Sequence, residues 1–178
     1  MSAFGRTLLA AAVVLAFLLG RWSGGGPDGA GDGIGEDAAR APTPPAEDLR
    51  GPCELVRVID GDTLDADCGD GRERIRLLRI DTPERDEPGY REATRALADL
   101  VDGEDLYLAF EQPGRPERGD HGRLLAYVYT DEGNVNVELV RRGWSPFWTR
   151  YGTGRFASAF REAEREAREL EAGVWGWR

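Results

Sequence analysis

The chain of 178 residues contains no lysine, one histidine, one methionine and two cysteines. Every positively charged side chain at neutral pH is therefore an arginine, and two cysteines with one histidine are too few for a tetrahedral zinc site. Acidic residues outnumber arginines by 33 to 23, so the net charge is −10. This charge repels nucleic acid at long range and excludes tight non-specific binding to DNA, unless a metal ion or a local basic cleft attracts the phosphates.

The amino-terminal segment is strongly apolar. Residues 7–20 read TLLAAAVVLAFLLG and lie between Arg6 and Arg21. As a helix they would span about 21 Å, which is short of a hydrocarbon core of about 30 Å and typical of a signal peptide. The alternative is an uncleaved membrane tether over residues 3–22, with Arg6 reaching the interface. We therefore expect residues 1–22 to direct export, and the protein to be secreted or anchored to the outer face of the cytoplasmic membrane.

A change of composition divides the rest of the chain. Residues 23–50 are rich in Gly, Pro, Ala and Asp and have no apolar periodicity, which predicts a disordered linker. Residues 51–178 remain as one domain, which is long enough to bury a core. This domain contains 19 arginines and 27 acidic residues, so its net charge is about −8. We expect it to be monomeric.

Apolar periodicity and turn residues predict five strands and three helices in this domain. The predicted strands are residues 54–59, 63–67, 72–80, 105–110 and 124–129, with a polar loop over residues 112–122. The predicted helices end at Gly103, Gly143 and Gly173, and the last has an apolar stripe made by Phe156, Phe160, Ala163, Ala167 and Leu170. We therefore predict an α+β fold, mainly β, in which a five-stranded OB-fold β-barrel has three helices packed outside.

The two cysteines flank the first predicted hairpin. Cys53 precedes one strand and Cys68 follows the other, almost symmetrically about the turn at Asp60-Gly61. They would lie opposite each other across an antiparallel pair, where a disulfide is geometrically feasible. Export would favour its formation, and two free thiols are the alternative.

Two acidic motifs lie where predicted strands end: Asp60-Gly61-Asp62-Thr63 and Asp81-Thr82-Pro83-Glu84. Each has an ordinary structural explanation, the first as a hairpin turn and the second as the start of a helix. Taken together they are chemically complementary. Asp62 and Asp81 can offer the hard oxygen ligands that Ca²⁺ accepts, and Glu84 can take a proton from water.

Two arginines complete this set. Arg76 lies in the third predicted strand, and Arg123 follows Gly122 before the fifth. Guanidinium groups bind phosphate oxygens through paired hydrogen bonds and stay charged at all relevant pH values. They can also stabilise the charge that grows on phosphorus during phosphoryl transfer. The combination favours phosphodiester hydrolysis.

Three stretches resemble the staphylococcal nuclease (thermonuclease) family: Val58-Ile59-Asp60-Gly61-Asp62-Thr63, Arg76-Leu77-Leu78-Arg79-Ile80-Asp81-Thr82-Pro83-Glu84 and Gly122-Arg123-Leu124-Leu125-Ala126-Tyr127-Val128. The resemblance runs from about Cys53 to Trp175. It implies a five-stranded OB barrel with three helices. It also implies Ca²⁺-dependent hydrolysis of DNA and RNA at the 5′ P–O bond, which leaves 3′-phosphate ends.

The resemblance also implies a role for each matching residue. Asp62 and Asp81 would bind calcium through their carboxylates, and Thr82 through its backbone carbonyl. Arg76 and Arg123 would bind the phosphate, and Glu84 would be the general base.

The sequence departs from the family at the substrate-facing positions. His121 stands where the family often has a tyrosine before the Gly-Arg pair, and the cleft lysines of the prototype have no lysine counterpart. We expect His121, Trp148 and Tyr151 to contact substrate: Trp148 or Tyr151 would stack on a base, and His121 would stack on a base or touch a phosphate, with a solvated loop position as the alternative for His121. For the neighbouring Phe147 and Trp144, core packing is an equal alternative. The alternative function is a tethered, non-catalytic OB-fold module that binds nucleic acid or a protein partner.

Overall fold

The computed structural model describes residues 43–177, so the predicted signal peptide or anchor and most of the predicted linker lie outside the described residues. A 3-10 turn at Ala46–Asp48 leads into the first strand, β1, which spans Leu49–Asp60. Leu49 pairs with Ala109, and Asp48 accepts a hydrogen bond of 2.8 Å from Arg155 Nη2. The folded part therefore begins before residue 51, a correction to the predicted linker boundary. Strand pairing here uses backbone groups, which composition does not reveal.

Six further strands and three α-helices follow in the described part of the chain. They are β2 Thr63–Asp67, β3 Arg72–Leu77, α1 Tyr90–Val101, β4 Leu106–Ala109, β5 Glu117–Arg118, β6 Leu124–Thr130, β7 Gly133–Asn134, α2 Val135–Arg141 and α3 Ala157–Glu169. Two differences from the sequence-based expectation concern the site. β3 ends three residues earlier than predicted, and the predicted polar loop contains β5 and a 3-10 segment, Asp120–Gly122.

Five of these strands form a closed ring. β1 pairs antiparallel with β2 and β4, β2 pairs with β3, and β4 pairs with β6. β3 and β6 pair in parallel and close the barrel. Register shifts in β1, between Leu55 and Arg57 and between Val58 and Asp60, supply the extra twist that closure of so small a barrel requires. The predicted five-stranded OB-type barrel with three helices is confirmed.

The barrel interior and the helix interface form one core. Alternation along β2 and β3 turns Leu64, Ala66, Ile75 and Leu77 inward, where each is at most 1% exposed. On α3, Phe160 is fully buried and stacks on Phe147 with ring centroids 5.1 Å apart. The predicted apolar stripe of α3 is buried as far as Ala167, whereas Leu170 is 78% exposed because the helix ends at Glu169.

The predicted disulfide is present between Cys53 and Cys68, one position beyond the paired residues Glu54 and Asp67. It joins β1 to the end of β2. Within residues 43–177, no helix combines the length and the apolar character needed to cross a membrane.

Candidate active site

A cleft of about 630 Å³ opens at one end of the barrel. Its walls come from the β1–β2 turn, β3 and the segment after it, the segment around β5, and the loop between α2 and α3. Seven of the predicted site residues line it: Asp62, Arg76, Asp81, Glu84, Arg123, Trp148 and Tyr151. The tertiary structure therefore brings together residues that are up to 89 positions apart in the sequence.

Asp62 is fixed by the turn that joins β1 to β2. Its backbone N–H donates to Asp60 Oδ1 at 3.1 Å, and its carbonyl accepts from the N–H of Leu77 at 2.8 Å. Gly61 is required beside it, because a Cβ atom there would lie 2.6 Å from Thr82 Oγ1. The Asp-Gly-Asp sequence thus lets the segment that carries Asp81 and Thr82 approach the turn.

The side chain of Asp62 is 10% exposed, and its carboxylate accepts several hydrogen bonds. Oδ1 accepts from Thr63 Oγ1 at 3.0 Å, and Oδ2 accepts from the N–H and Oγ1 of Thr82 at 3.1 and 3.2 Å. Burial nevertheless raises the pKa of Asp62 to about 6, although the nearby Arg76 favours the charged form. The hydrogen bonds and Arg76 do not fully offset the cost of burying the charged carboxylate. An additional cation beside Asp62 would therefore stabilise it.

Arg76 joins the two acidic motifs. Its Nη2 lies 3.1 Å from Asp62 Oδ2 and 3.2 Å from Asp81 Oδ1, and its Nη1 donates to the carbonyl of Leu77 at 2.8 Å. Two carboxylates from separate loops therefore converge on one positively charged nitrogen. This convergence marks a position that favours cations.

Ser145 was missed by the sequence-based prediction. Its Oγ accepts from the N–H of Asp81 at 2.7 Å and donates to the carbonyl of Pro146 at 2.7 Å, and the side chain is fully buried. Ser145 thereby fixes the backbone of Asp81. No sequence signal identifies it, because a single serine after a helix is common and its partner lies 64 residues earlier.

Glu84 and Arg123 lie in the cleft with little to hold their charged groups. The Glu84 side chain is exposed. The backbone N–H of Glu84 donates to Glu87 Oε2 at 2.8 Å, which fixes the loop that carries it. Arg123 Nε makes only a long bond of 3.4 Å to the carbonyl of Asp120, and in the described part of the chain no carboxylate pairs with it. Both groups are therefore available to a substrate.

The predicted base-contacting residues have different positions. Trp148 lies with its ring centroid 5.9 Å from Arg76 Cζ, and its ring meets that of Tyr151 edge-on at 5.2 Å. His121 is exposed, adopts a left-handed φ of 62° and is not among the lining residues, although its neighbours Asp120 and Arg123 are. The structure therefore does not place His121 with the rest of the predicted set. Trp148 and Tyr151 stay predictions as base contacts.

The cleft is acidic, as the chain is. Seven carboxylates and three arginines line it. Within residues 43–177, no group of three or more His, Cys, Asp or Glu side chains is arranged to hold a metal ion. A cation at the Asp62–Asp81 position would therefore depend on two carboxylates, with a backbone carbonyl and water as further ligands, a donor set that Ca²⁺ accepts.

The fold and the cleft define an OB-type barrel with carboxylates and arginines gathered at one end. A sequence model of the family described as "Staphylococcal nuclease homologue" matches residues 74–177. The chain is 34% identical to an "Uncharacterized endonuclease" of Escherichia coli O157:H7, over 68% of this chain and 74% of that protein. It is 32% identical to the "Micrococcal nuclease" of Shigella flexneri, over 72% of this chain and 74% of that protein. It is 29% identical to the "Thermonuclease" of Staphylococcus intermedius, over 72% and 79%.

The chain therefore belongs to the staphylococcal nuclease family, as its motifs predicted.

Proposed function

We propose that this protein is an exported, calcium-dependent nuclease that hydrolyses phosphodiester bonds of DNA and RNA. The observation that carries the proposal is the convergence of Asp62 and Asp81 on Arg76 Nη2, in a cleft that Glu84 and Arg123 also line. Membership of the family and the nuclease-named relatives support a hydrolase that acts on nucleic acids.

The residues that would hold the metal ion are Asp62, Asp81 and the backbone carbonyl of Thr82. The fit rests on the chemistry of the donors, which are all hard oxygens, and on the raised pKa of Asp62, which a second cation would lower again. A bound Ca²⁺ would neutralise negative charge on the phosphate and on the acidic cleft.

The side chains of the cleft divide the remaining chemistry. Glu84 takes a proton from the attacking water, and the oxygen of that water forms a new bond to phosphorus. The P–O5′ bond breaks and the leaving O5′ takes a proton from solvent water, which leaves a 3′-phosphate on one product and a 5′-hydroxyl on the other. Arg123 and Arg76 donate to the phosphate oxygens as negative charge grows on them.

Export is proposed from residues 1–22 alone. The test is amino-terminal sequencing of the protein recovered from the medium and from washed membranes of the producing cells. A mature chain that begins within residues 23–50 would support a cleaved signal, and an intact membrane-bound chain would support the tether. Intact protein confined to the cytoplasm would refute export.

The main test is cleavage of single-stranded DNA and of RNA by the purified chain with Ca²⁺, and again after addition of a chelator. We expect activity that Ca²⁺ supports and chelator abolishes, and a large loss of turnover in Glu84→Gln. The matched control is Glu104→Gln, which changes an exposed glutamate outside the cleft. Activity that chelator leaves unchanged, or that Glu84→Gln fully retains, would refute the mechanism.

The same experiment separates the alternative function. The acidic lining of the cleft counts against catalysis without a cation, since seven carboxylates weaken its affinity for phosphate. Retention of labelled single-stranded DNA on a filter, with no shorter product on a denaturing gel in Ca²⁺, would support that alternative. Cleavage would exclude it.

A further inference from the structure

Arg79 has an unusual backbone conformation for a residue with a side chain. It follows β3 and has a φ of 66°, in the left-handed region that non-glycine residues avoid. Its carbonyl accepts from the N–H of Trp148 at 3.0 Å. The backbone here is thus joined directly to the loop between α2 and α3, which forms one wall of the cleft.

The side chain of Arg79 extends this attachment. It is 10% exposed, and its Nη1 donates to the carbonyls of Tyr151 and Gly152, both at 2.8 Å. Its Nη2 donates to Glu111 Oε2 at 2.9 Å. One guanidinium therefore holds two consecutive carbonyls of the loop and a carboxylate two residues after β4. A planar fork of donors suits such an arrangement, and a lysine ammonium does not.

Glu111 and Tyr127 hold the guanidinium in place. The Tyr127 hydroxyl donates to Glu111 Oε2 at 2.6 Å, and burial together with this bond raises the pKa of Tyr127. The loop packs closely on the pair. A Cβ atom at Gly154, whose φ is 71°, would lie 2.4 Å from the Tyr127 hydroxyl and 2.6 Å from Arg79 Nε.

The loop held in this way carries the aromatic wall of the cleft, Trp148 and Tyr151. Tyr151 is 69% exposed, so the position of its ring depends on how firmly the backbone of this loop is held. Arg76, by contrast, is fixed by Asp62, by Asp81 and by the carbonyl of Leu77. The wall can therefore loosen while the groups around the scissile phosphate keep their positions.

We propose that Arg79 is a positioning residue for substrate binding: paired with Glu111, it fixes residues 148–154 as the wall on which the bases of the substrate pack. This inference rests on the proposed function. Base–aromatic stacking contributes to affinity and little to the chemical step, so loss of the wall raises KM and leaves kcat nearly unchanged.

The decisive variant is Arg79→Gly. Glycine adopts a φ of 66° without strain, so the substitution removes the guanidinium while suiting the backbone, and a thermal unfolding curve of the variant checks that the chain is folded in the assay. With single-stranded DNA and Ca²⁺ we expect KM to rise about 10- to 100-fold and kcat to stay within about 3-fold. Arg79→Lys keeps the charge beside Glu111 but cannot donate to both carbonyls, and we expect an intermediate KM.

A second readout does not need nuclease activity. The chain has no lysine, so trypsin cleaves only after arginine, and Arg150 is an exposed arginine within the loop. We expect cleavage after Arg150, identified by mass, to be about 10-fold faster in Arg79→Gly than in the unchanged chain. The matched control is Glu171→Gly, which changes another left-handed residue, one outside the lining of the cleft, and should alter neither KM nor this cleavage.

An Arg79→Gly chain with unchanged KM and unchanged cleavage after Arg150 would overturn the proposal. So would a fall in kcat as large as the rise in KM, because that result would place Arg79 among the groups that act on the scissile phosphate. An unchanged chain without any nuclease activity would refute the proposed function instead. The rate of cleavage after Arg150 would then still decide whether Arg79 fixes the loop.

Discussion

Asp65 provides the sharpest test of how the site-bearing strands are stabilised. It lies on the outer face of β2, three residues after Asp62, and its side chain is 2% exposed. Arg57 Nε donates to it at 3.0 Å and Arg74 Nε at 2.8 Å, and Arg72 also pairs with it. One carboxylate thus joins β1, β2 and β3, the strands that carry Asp62 and Arg76. We predict that Asp65→Asn destabilises the fold.

The magnitude follows from what the arginines lose. A hydrogen bond to a charged group contributes about 1.5–3 kcal/mol, and removal of one partner of a buried ion pair costs about 3–5 kcal/mol. The three arginines are 48–56% exposed, so water replaces many of the hydrogen bonds that they lose with the carboxylate. We therefore expect a loss of about 2–3 kcal/mol at pH 7, and a fall in Tm of roughly 6–12 °C for a domain of this size.

The effect has a defined pH dependence. Hydrogen bonds from Arg74, and further bonds from Arg72 and Arg57, hold the pKa of the Asp65 carboxyl well below its usual range, against the opposing effect of burial. A lowered folded-state pKa contributes stability that is fully present above the unfolded pKa of about 3.9 and is lost as pH falls further. The difference in Tm between the two chains should therefore be constant above about pH 5 and shrink below about pH 4.

The assay is thermal unfolding followed by circular dichroism, at several pH values from neutral to acid. Asp70→Asn is the matched control, because Asp70 also pairs with an arginine but is 70% exposed. The Tm of this variant should equal that of the unchanged chain, since exposed ion pairs contribute little to stability. An unchanged Tm in Asp65→Asn at pH 7 would refute the stabilising role of this cluster. A difference that persists undiminished in acid would show that the charge of Asp65 is not its cause.

Three further predictions concern the site and its support. Arg123→Ala should lower kcat by on the order of 10³-fold or more at unchanged Tm, whereas Arg165→Ala, which removes an arginine paired with glutamates outside the cleft, should keep kcat. Ser145→Ala should raise the Ca²⁺ concentration for half-maximal activity about 10-fold, and a calcium titration that overlays that of the unchanged chain would contradict its role. Reduction of the Cys53–Cys68 disulfide, which closes a loop of 15 residues, should remove about 3 kcal/mol from the free energy of unfolding measured in urea, and an unchanged urea midpoint would contradict this.

Local chemistry made much of the fold predictable. In β2 and β3, apolar and polar residues alternate because successive side chains face opposite sides of the strand. In α3, apolar residues recur every three to four positions because they share one face of the helix. Both patterns can be read from the sequence. The disulfide was predictable because Cys53 and Cys68 are nearly symmetric about a hairpin turn, and short-range pairing fixes their approach. The early end of β3 and the start of β1 at Leu49 were missed, since both depend on pairing with strands distant in the sequence.

The sequence alone identified five of the charged groups in the cleft, because Asp62, Asp81, Glu84, Arg76 and Arg123 stand in motifs whose chemistry is complementary. Tertiary structure decided how these groups are held. Ser145 reaches Asp81, and Arg79 reaches Tyr151 and Gly152, across 64 to 73 residues of sequence. Such contacts form only once the barrel closes and the helices pack, because hydrogen bonds between distant residues depend on the position of the backbone and leave no local pattern.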